Sequence, residues 1–509
     1  MQSFFFVALR GFWFWVFLLV SLVFSLFLES TPSVVFVILS QPSDFDDALA
    51  TNLQQSLIQQ ANDTHLDIYG AWTVSSLFRS LYDRLSGLSD YWLFLCEQST
   101  EINLVELVRF LGAYNPAKAH FIGRGLADER PTIIHHFFGH DRPPDQPFLY
   151  PDFAGGVAIS AALIKQAQSI SVARRPTDFA IDPKHEVWHK QTISYSLAEL
   201  IASPRFFGIS LSRMLFDLAG VSLTDAQRFC LLHNETNCIT KFVEPTYEFS
   251  RVYFLMHMFS VVPSGERLLQ NCGEIVSNEE VFFAVKTFSG YHKSRIVVVK
   301  RTWAKTAKYV EYFSNIRDPY VPTIDLGINN TERGHCGKTL AILKHFLAYD
   351  EVDSLKWLAV VDDDTLLSVP RLYRLLSCYS PLKNFIIGER YGYGFDADGQ
   401  YGYDYPTGGA GMIFSRPAVH QIVNSCRCPG IDSPDDMIIG MCARRLSIPI
   451  IHSASFHQAT PIDYSSLYLQ RILPVSFHKF DDVDPYQVYM QRLHDHGTIP
   501  ANRPRHSEL

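Results

Sequence analysis

Three consecutive aspartates, Asp362, Asp363 and Asp364, come directly after the apolar stretch KWLAVV (356–361), whose pattern predicts a buried strand. In open α/β sheets, ligands bind beyond the carboxyl ends of the strands, so we expect these carboxylates at such an edge. A hard divalent cation prefers carboxylate oxygens, and a cation held there would neutralise a departing diphosphate. The run therefore predicts a metal-dependent site for a nucleotide-linked substrate, with a solvated acidic turn as the alternative.

Two further motifs follow in the sequence. The segment 407–411, TGGAG, contains Gly409 and lacks large side chains, so a sugar would be able to approach the backbone; a plain turn is the alternative. Asp435 and Asp436 then precede an apolar, helix-like run. One of these carboxylates would accept the proton of an attacking hydroxyl, although capping of the helix also explains an aspartate there.

The 19 histidines include two, His452 and His457, near the end of a predicted strand in IPIIHSASFHQ. A single histidine is usually structural. His457 becomes a candidate only as a nitrogen ligand beside Asp364, a combination that suits Mn²⁺ better than Mg²⁺.

The elements that would position these residues alternate between strand and helix from about 280 to 495. The sequence predicts strands over 281–288 and 356–361, a helix over 337–350 and a helix-like stretch over 294–313. This alternation is typical of a parallel sheet covered by helices, that is, of an α/β fold.

The first half of the chain repeats this plan. Four ordered matches relate the halves: 92–100 with 357–365, 121–124 with 386–389, 150–160 with 405–415, and 184–187 with 434–437. They predict an internal duplication, with convergent strand composition as the alternative. Where the second half has three aspartates, the first has Glu97, Gln98 and Ser99. Since Ser99 cannot supply a carboxylate, the N-terminal copy is predicted to be degenerate and non-catalytic.

Length and composition limit the remaining possibilities. A chain of 509 residues is long enough for two or three domains, and 47% hydrophobic residues suffice for buried cores. The net charge of −8 and the lack of a Lys/Arg cluster argue against nucleic-acid binding.

Features at both termini point to the secretory pathway. The uncharged apolar run 11–28 predicts a signal peptide or a short signal-anchor that would hold the chain in a membrane. Sequons at Asn62, Asn234 and Asn329 agree with this, and nine cysteines predict disulfides with at least one thiol left over. The chain ends in 506–509, HSEL, which resembles a signal for retrieval to the endoplasmic reticulum.

These features give a predicted domain organisation. The ranges are 1–30 for the signal peptide or anchor, 31–200 for the degenerate domain, 201–278 for a connecting region, 279–495 for the catalytic domain and 496–509 for the tail.

The motifs from about 280 to 490 resemble, in order and spacing, those of the Fringe-like β1,3-glycosyltransferases. They are VKTF, HKSR, GHCGKT, WLAVVDDDT, IIGERYGYG, YPTGGAGMIFS, SPDDMIIG and FHQATPIDY. The resemblance implies two GT-A-like (Rossmann-type) domains and inversion at the anomeric carbon. GERYGYG, CRCPGIDSPDDM and PVSFHK are most similar to family members that add glucose to O-linked fucose on thrombospondin type 1 repeats. Such an activity implies UDP-glucose as donor, Mn²⁺ as cofactor and fucosylated repeat proteins as partners.

The resemblance also implies roles for individual residues. Asp364 and His457 would hold the metal and Asp436 would be the general base. The resemblance places Arg295 and Asp363 where the donor is contacted, and the aspartate run and the glycine loop add Asp362 and Gly409 to the predicted donor-binding residues.

Two alternatives remain at this point. A sister transferase using UDP-galactose or UDP-N-acetylglucosamine fits the same residues. A non-catalytic sugar-binding or folding-surveillance protein would also fit the plan, but Asp364, Asp436 and His457 together favour an enzyme.

Overall fold

The computed structural model describes the greater part of the chain. The described residues are 18–22, 33–60, 90–128, 148–171, 204–243, 272–332, 334–349, 354–393, 402–480 and 482–494.

An N-terminal domain is built on a six-stranded sheet with the order β1-β2-β3-β8-β5-β9. Its strands are β1 (Leu18–Leu22), β2 (Ser33–Leu39), β3 (Tyr91–Glu97), β4 (Thr100–Ile102), β5 (Phe121–Gly123), β6 (Gly125–Leu126), β7 (Tyr150–Pro151), β8 (Val157–Ser160), β9 (Thr224–Asp225), β10 (Phe229–Cys230) and β11 (Thr240–Phe242). Its helices are α1 (Asp44–Gln60), α2 (Leu104–Leu111), α3 (Ala161–Ser171) and α4 (Pro204–Ala219).

A C-terminal domain is built on a seven-stranded sheet with the order β14-β13-β12-β15-β20-β17-β21. Its strands are β12 (Val281–Lys286), β13 (Tyr309–Ser314), β14 (Thr323–Asp325), β15 (Trp357–Asp362), β16 (Thr365–Leu367), β17 (Ile386–Gly388), β18 (Arg390–Tyr393), β19 (Tyr403–Pro406), β20 (Met412–Ser415), β21 (Ile450–His452) and β22 (Ser476–His478). Its helices are α5 (Arg295–Arg301), α6 (Cys336–Leu347), α7 (Val369–Leu376), α8 (Arg416–Ser425), α9 (Asp435–Leu446), α10 (Ser466–Arg471) and α11 (Pro485–Val488).

The α/β prediction is confirmed, with two corrections in the C-terminal sheet. The sheet is mixed rather than parallel, because β20 runs antiparallel between β15 and β17. The prediction of a helix-like stretch over 294–313 is wrong in its second half. Helix α5 ends at Arg301, and residues 309–314 form β13, which is parallel to β12. Aromatic side chains on β13 favour a strand where we expected the helix to continue.

The two sheets share one topology. The run β2-β3-β8-β5-β9 has the same strand directions as β12-β15-β20-β17-β21. Even the register agrees, since Trp92 lies opposite Ser160 as Trp357 lies opposite Ser415. The matches at 92–100, 121–124 and 150–160 therefore fall on equivalent elements, whereas 184–187 lies outside the described residues. A common origin of the halves by duplication stays a prediction.

The predicted boundary at residue 200 is placed too early. In the expected connecting region, β9 extends the N-terminal sheet beside β5, and β11 pairs with β4. Strands of two or three residues carry too little periodicity to be recognised in the sequence. Among the described residues, the N-terminal domain thus extends to 243.

The domains pack through a shared core. One hydrophobic cluster contains side chains of both, and the rings of Phe45 and Tyr379 lie 5.9 Å apart within it. Gln41 adds two polar contacts, because its side chain donates to the carbonyl of His452 (2.8 Å) and accepts from its amide (2.7 Å).

The cysteines form four disulfides, as the sequence predicted. The pairs are Cys230–Cys238, Cys272–Cys378, Cys336–Cys428 and Cys426–Cys442, and Cys96, buried in β3, lies outside them. Two of these link α6, α9 and the segment before α9, so they brace the helix that begins at Asp435.

Little of the predicted targeting signals falls within the described residues. From the apolar run 11–28 the structure describes Leu18–Leu22, as the edge strand β1 antiparallel to β2. No helix among the described residues has the length and apolar character needed to cross a bilayer. The tail 496–509 and Asn62 lie outside them, and Asn234 and Asn329 are exposed.

Candidate active site

The aspartate run lies at the carboxyl end of the central strand β15, as its sequence predicted. Asp362 is the last residue of β15, and Asp363 and Asp364 form the turn into β16. Both turn residues are buried, while the Asp362 side chain keeps 27% of its surface exposed. Helices α5 and α7 pack on one face of the sheet and α6, α8 and α9 on the other, so the run of apolar residues in β15 is buried. The carboxyl end of such a strand is where open α/β sheets bind ligands.

Asp362, Asp364 and His478 bring three potential ligand atoms within 4.8 Å of one another. His478 ends β22, which pairs with β16 so that His478 faces Thr365. The Nε2 of His478 lies 3.1 Å from Asp364 Oδ1, and its Nδ1 lies 3.0 Å from the carbonyl of Gln458. Since Nδ1–H donates to that carbonyl, Nε2 is the nitrogen available to a metal. Two carboxylates and an imidazole are a donor set that fits Mn²⁺.

His478 replaces His457 as the candidate nitrogen ligand, which corrects the sequence-based assignment. His457 is buried in the protein, its Nδ1 lies 2.9 Å from the carbonyl of Ser476, and its ring stacks on Phe477. It is not part of the cluster of potential ligand atoms among the described residues. The FHQ segment containing His457 supports the strand that carries His478, two residues beyond Ser476.

Gly409 makes room for the His478 imidazole. A Cβ at Gly409 would lie 2.3 Å from Nδ1 of His478, a distance that no side chain tolerates. The Gly409 carbonyl accepts a hydrogen bond from the Thr365 hydroxyl (2.8 Å), which ties the glycine loop to the strand following the aspartates. The structure therefore places Gly409 against the metal ligand.

Arg295 lies at the start of α5 and neutralises the aspartate turn. Its Nη1 lies 2.7 Å from Asp364 Oδ2 and 3.2 Å from Asp363 Oδ1, and its guanidinium lies over the Tyr291 ring. Asp363 also accepts from the Thr287 hydroxyl (2.7 Å). Burial raises the pKa of Asp363 to about 6, whereas His478 and Arg295 outweigh burial and lower the pKa of Asp364.

The two neighbouring aspartates of α9 have different environments. Asp435 is buried, and its Oδ2 accepts from the Lys286 ammonium and the Thr339 hydroxyl, both at 2.6 Å. Although burial opposes ionisation, Lys286 lowers the pKa of Asp435 to about 2. For Asp436, burial and the adjacent Asp435 charge raise the pKa to about 7. Asp435 is thus a permanently charged partner of Lys286, and Asp436 is poised to exchange a proton near neutral pH.

Gly408 connects the base candidate with the metal cluster. A Cβ on Gly408 would lie 3.9 Å from both Asp436 Oδ2 and Lys286 Nζ and 4.0 Å from Asp362 Oδ2. The Gly408 amide also donates to Asp436 Oδ2 (3.4 Å). Because Gly408 has no side chain, a space remains between the Asp436 carboxylate and the group of potential metal ligands.

Lys286 and His478 are site residues that the sequence analysis missed. Lys286 lies at the end of β12 and links two of the predicted motifs, because its Nζ lies 2.9 Å from Asp362 and 2.6 Å from Asp435. A lysine at the end of an apolar strand is a signal that the sequence offered. His478 lies in the PVSFHK motif, but its place beside Asp364 depends on the pairing of β22 with β16, which the motif does not reveal.

Comparison with known proteins agrees with this geometry. Residues 276–496 match the family model described as Fringe-like. The β1,3-glucosyltransferases of Mus musculus and Homo sapiens are each 39% identical over 464 residues, covering 87% of this chain and 83% and 81% of their own. The β-1,3-N-acetylglucosaminyltransferase manic fringe of Danio rerio is 28% identical over 203 residues, covering 35% of this chain and 55% of its own.

The similarity to the two mammalian proteins extends through both domains, and the family-model match contains the aspartate turn, the glycine loop and the α9 aspartates. The chain belongs to the Fringe-like β1,3-glycosyltransferases.

Proposed function

We propose that the chain is an inverting, Mn²⁺-dependent β1,3-glucosyltransferase that transfers glucose from UDP-glucose to O-linked fucose on thrombospondin type 1 repeats. The main support for a metal-dependent transfer with a general base is the position of Asp436, which lies across Gly408 from the cluster of Asp362, Asp364 and His478. The choice of glucose is supported by the β1,3-glucosyltransferases that are similar over 87% of the chain.

The residues divide the chemistry between them. Asp362, Asp364 and His478 would hold Mn²⁺, which supplies positive charge for the diphosphate of the donor. Asp436 accepts the proton of the acceptor hydroxyl while that oxygen forms a bond to the anomeric carbon. The bond from that carbon to the UDP oxygen breaks at the same time, and UDP departs with the electron pair. Attack from the side opposite to UDP inverts the anomeric configuration.

Arg295 and Lys286 hold the charged groups in place. Arg295 contacts Asp363 and Asp364, and Lys286 fixes Asp362 relative to Asp435 at the start of α9. The ion pairs therefore connect the metal ligands with the helix that carries the base. Such preorganised charges cost no rearrangement during the reaction.

We also propose that the enzyme acts in the endoplasmic reticulum. The apolar run 11–28 and the HSEL ending support this proposal. Deleting residues 506–509 should increase secretion from cells or movement to the Golgi. If the deletion left the distribution unchanged, retrieval by this ending would be refuted.

The donor and acceptor are tested with the purified chain. It is incubated with UDP-glucose, UDP-galactose or UDP-N-acetylglucosamine and a fucosylated thrombospondin repeat, with Mn²⁺ or with a chelator. We expect transfer from UDP-glucose in the presence of Mn²⁺, and an unfucosylated repeat is the matched control. Preferential transfer from another donor would identify a sister transferase, and no transfer from any donor would favour a non-catalytic protein.

A further inference from the structure

The N-terminal domain contains a counterpart of the metal cluster. Its strand β3 ends at Glu97, the equivalent of Asp362, and Ser99 takes the place of Asp364. On β11, Phe242 lies opposite Thr100 just as His478 lies opposite the corresponding threonine of β16. A phenyl ring and a hydroxyl thus replace two of the three metal ligands, so Glu97 is the carboxylate that remains.

The glycine loop is also replaced. Phe153 and Ala154 stand where the C-terminal domain has Gly408 and Gly409, and in each domain a threonine hydroxyl donates to the carbonyl of the second residue, at 3.0 and 2.8 Å. The two loops therefore have the same position relative to their strands. Phe153 is fully buried among the core side chains of the sheet. The space that Gly408 leaves open is consequently not available in the N-terminal domain.

A cation nevertheless occupies this counterpart, and the C-terminal domain supplies it. Nη1 of Arg471 lies 3.2 Å from Glu97 Oε2 and 3.0 Å from Asp152 Oδ1. Its guanidinium carbon lies 5.0 Å from the centre of the Phe242 ring. The Arg471 side chain is only 2% exposed, so this is a buried contact between the domains. The position equivalent to the metal cluster holds an arginine of the same chain.

Arg471 belongs to the segment that leads to the metal ligand. It ends α10, and His478 follows seven residues later at the end of β22. At the other end of α10, the amide of Ser465 donates to Asp128 of the N-terminal domain (3.2 Å). Both ends of this helix are therefore held by the N-terminal domain before the chain enters β22.

We propose that Arg471 is a positioning residue and that the N-terminal domain holds it at the position equivalent to the metal cluster. In this arrangement the domain is a scaffold that places His478 for metal binding, and it does not bind a second metal ion. The inference rests on the proposed function in one respect, namely that His478 is a metal ligand. Residues that orient metal ligands typically change metal affinity about 10–100-fold when they are replaced.

The test is a Mn²⁺ titration of the full chain without any donor, with free Mn²⁺ followed by electron paramagnetic resonance. Arg471→Met should weaken Mn²⁺ binding about tenfold. Arg471→Lys should recover part of the affinity, because an ammonium still pairs with Glu97 or Asp152. The double variant Glu97→Gln/Asp152→Asn should weaken binding in the same direction, and adding Arg471→Met to it should have little further effect.

Lys383→Met is the matched control. Lys383 also pairs with the N-terminal domain, through Asp44, but this ion pair is exposed and remote from β22 in the sequence. We expect Mn²⁺ affinity close to that of the wild type, since exposed ion pairs contribute little. Equal losses in this control and in Arg471→Met would indicate general loosening of the domain interface and would overturn the proposal.

Further outcomes separate this inference from the proposed function. If Arg471→Met melts at a lower temperature but binds Mn²⁺ like the wild type, Arg471 is merely structural. If that variant fails to fold, unchanged affinity in the Glu97→Gln/Asp152→Asn and Arg471→Lys chains overturns the proposal. A wild-type chain that binds one Mn²⁺ but transfers no glucose contradicts the proposed function alone. A wild-type chain that binds no Mn²⁺, or Mn²⁺ retained by Asp364→Ala, contradicts both the inference and the metal site of the proposed function.

Discussion

The two sheets of this protein have the same order, directions and register in their central strands, yet the side chains at the ends of those strands differ in the metal ligands that they provide. Strand β15 continues into Asp362, Asp363 and Asp364, whereas β3 continues through Glu97 into a turn without further carboxylates. The buried strands determine the shape of both domains. The chemistry belongs to a few residues at the strand ends, so a shared fold does not imply a shared activity.

The difference extends to the neighbouring strand. Lys286 of β12 lies beside Asp362, and the equivalent pair in the N-terminal domain is Leu39 beside Glu97. Without a lysine in its own sheet, Glu97 is neutralised from outside, by Arg471 of the other domain. A site that supplies its own cations can accept a metal and substrate, whereas one filled by an arginine of the chain becomes part of an interface.

Removing a metal ligand should have the largest effect on this contrast. We expect Asp364→Ala to reduce glucose transfer by at least ~10³-fold, since charge stabilisation by a bound metal contributes several kcal/mol and each 1.36 kcal/mol is about tenfold. Transfer to a fucosylated repeat and Mn²⁺ titration measure this. The equivalent change in the other domain, Ser99→Ala, should leave transfer unchanged. Near-normal transfer by Asp364→Ala would refute the assignment of the site.

Replacing the base should have the next largest effect. Asp436→Asn should lower turnover ~10²–10⁴-fold while UDP-glucose still binds, because the amide keeps the shape but cannot accept the proton. Turnover and donor affinity are measured separately.

Asp435→Asn is the matched control for Asp436→Asn. Asp435 pairs with Lys286 inside the protein, and breaking such a buried pair costs about 3–5 kcal/mol of stability. Asp435→Asn should therefore lower the melting temperature, and Asp436→Asn should not. If Asp435→Asn lost turnover with full stability while Asp436→Asn remained active, the two roles would be reversed.

The sequence predicted the parts of the fold and site that are continuous along the chain. The buried strand before Asp362, the helix beginning at Asp435 and the loop around Gly409 were all located from apolar periodicity and local residue types. Contacts between distant elements were not accessible in this way. The pairing of β16 with β22 brings His478 to Asp364, and a single sequence does not encode that register in any local pattern.

The short strands that complete the N-terminal domain escaped prediction for a related reason. β9 and β10 have two residues each, so neither alternates long enough to be distinguished from a loop. The interface arginine is similar, because Arg471 at the end of a short helix resembles any solvent-facing residue. Its burial becomes visible only when both domains are present.

A methyl group at Gly409 should have a smaller effect than loss of a ligand. Because a Cβ would lie 2.3 Å from His478 Nδ1, Gly409→Ala should displace the imidazole and weaken Mn²⁺ binding about 10–100-fold. The N-terminal domain already has alanine at this position, Ala154, where Phe242 replaces the histidine. Ala154→Gly should leave Mn²⁺ binding unchanged. Equal Mn²⁺ affinity of Gly409→Ala and wild type would contradict the placement of Gly409 against His478.

The dependence on pH distinguishes two carboxyl groups, and replacing the one in the N-terminal domain should have the smallest effect on transfer. Burial raises the pKa of Asp436 and of Glu97 to about 7 each. Asp436 accepts a proton only as a carboxylate, so kcat/KM of the free enzyme should rise about tenfold per pH unit below pH 7 and level off above it. Glu97 does not contact the substrate in the proposed reaction, so its protonation should not cause the fall of kcat/KM below pH 7.

Replacing Glu97 separates the two contributions. A buried acid whose pKa is raised on folding stabilises the protein below its unfolded pKa, and this contribution is lost as the pH rises through about 7. Glu97→Gln should therefore flatten the decrease in stability between about pH 4.5 and 7, while the midpoint of the kcat/KM profile stays near 7. Thermal unfolding measures the stability and initial rates measure kcat/KM, both over about pH 5–9, a range that includes the pKa of about 7 of each group. A shift of the kinetic midpoint in Glu97→Gln would show that the two domains share one titration, and that the N-terminal carboxylate takes part in catalysis.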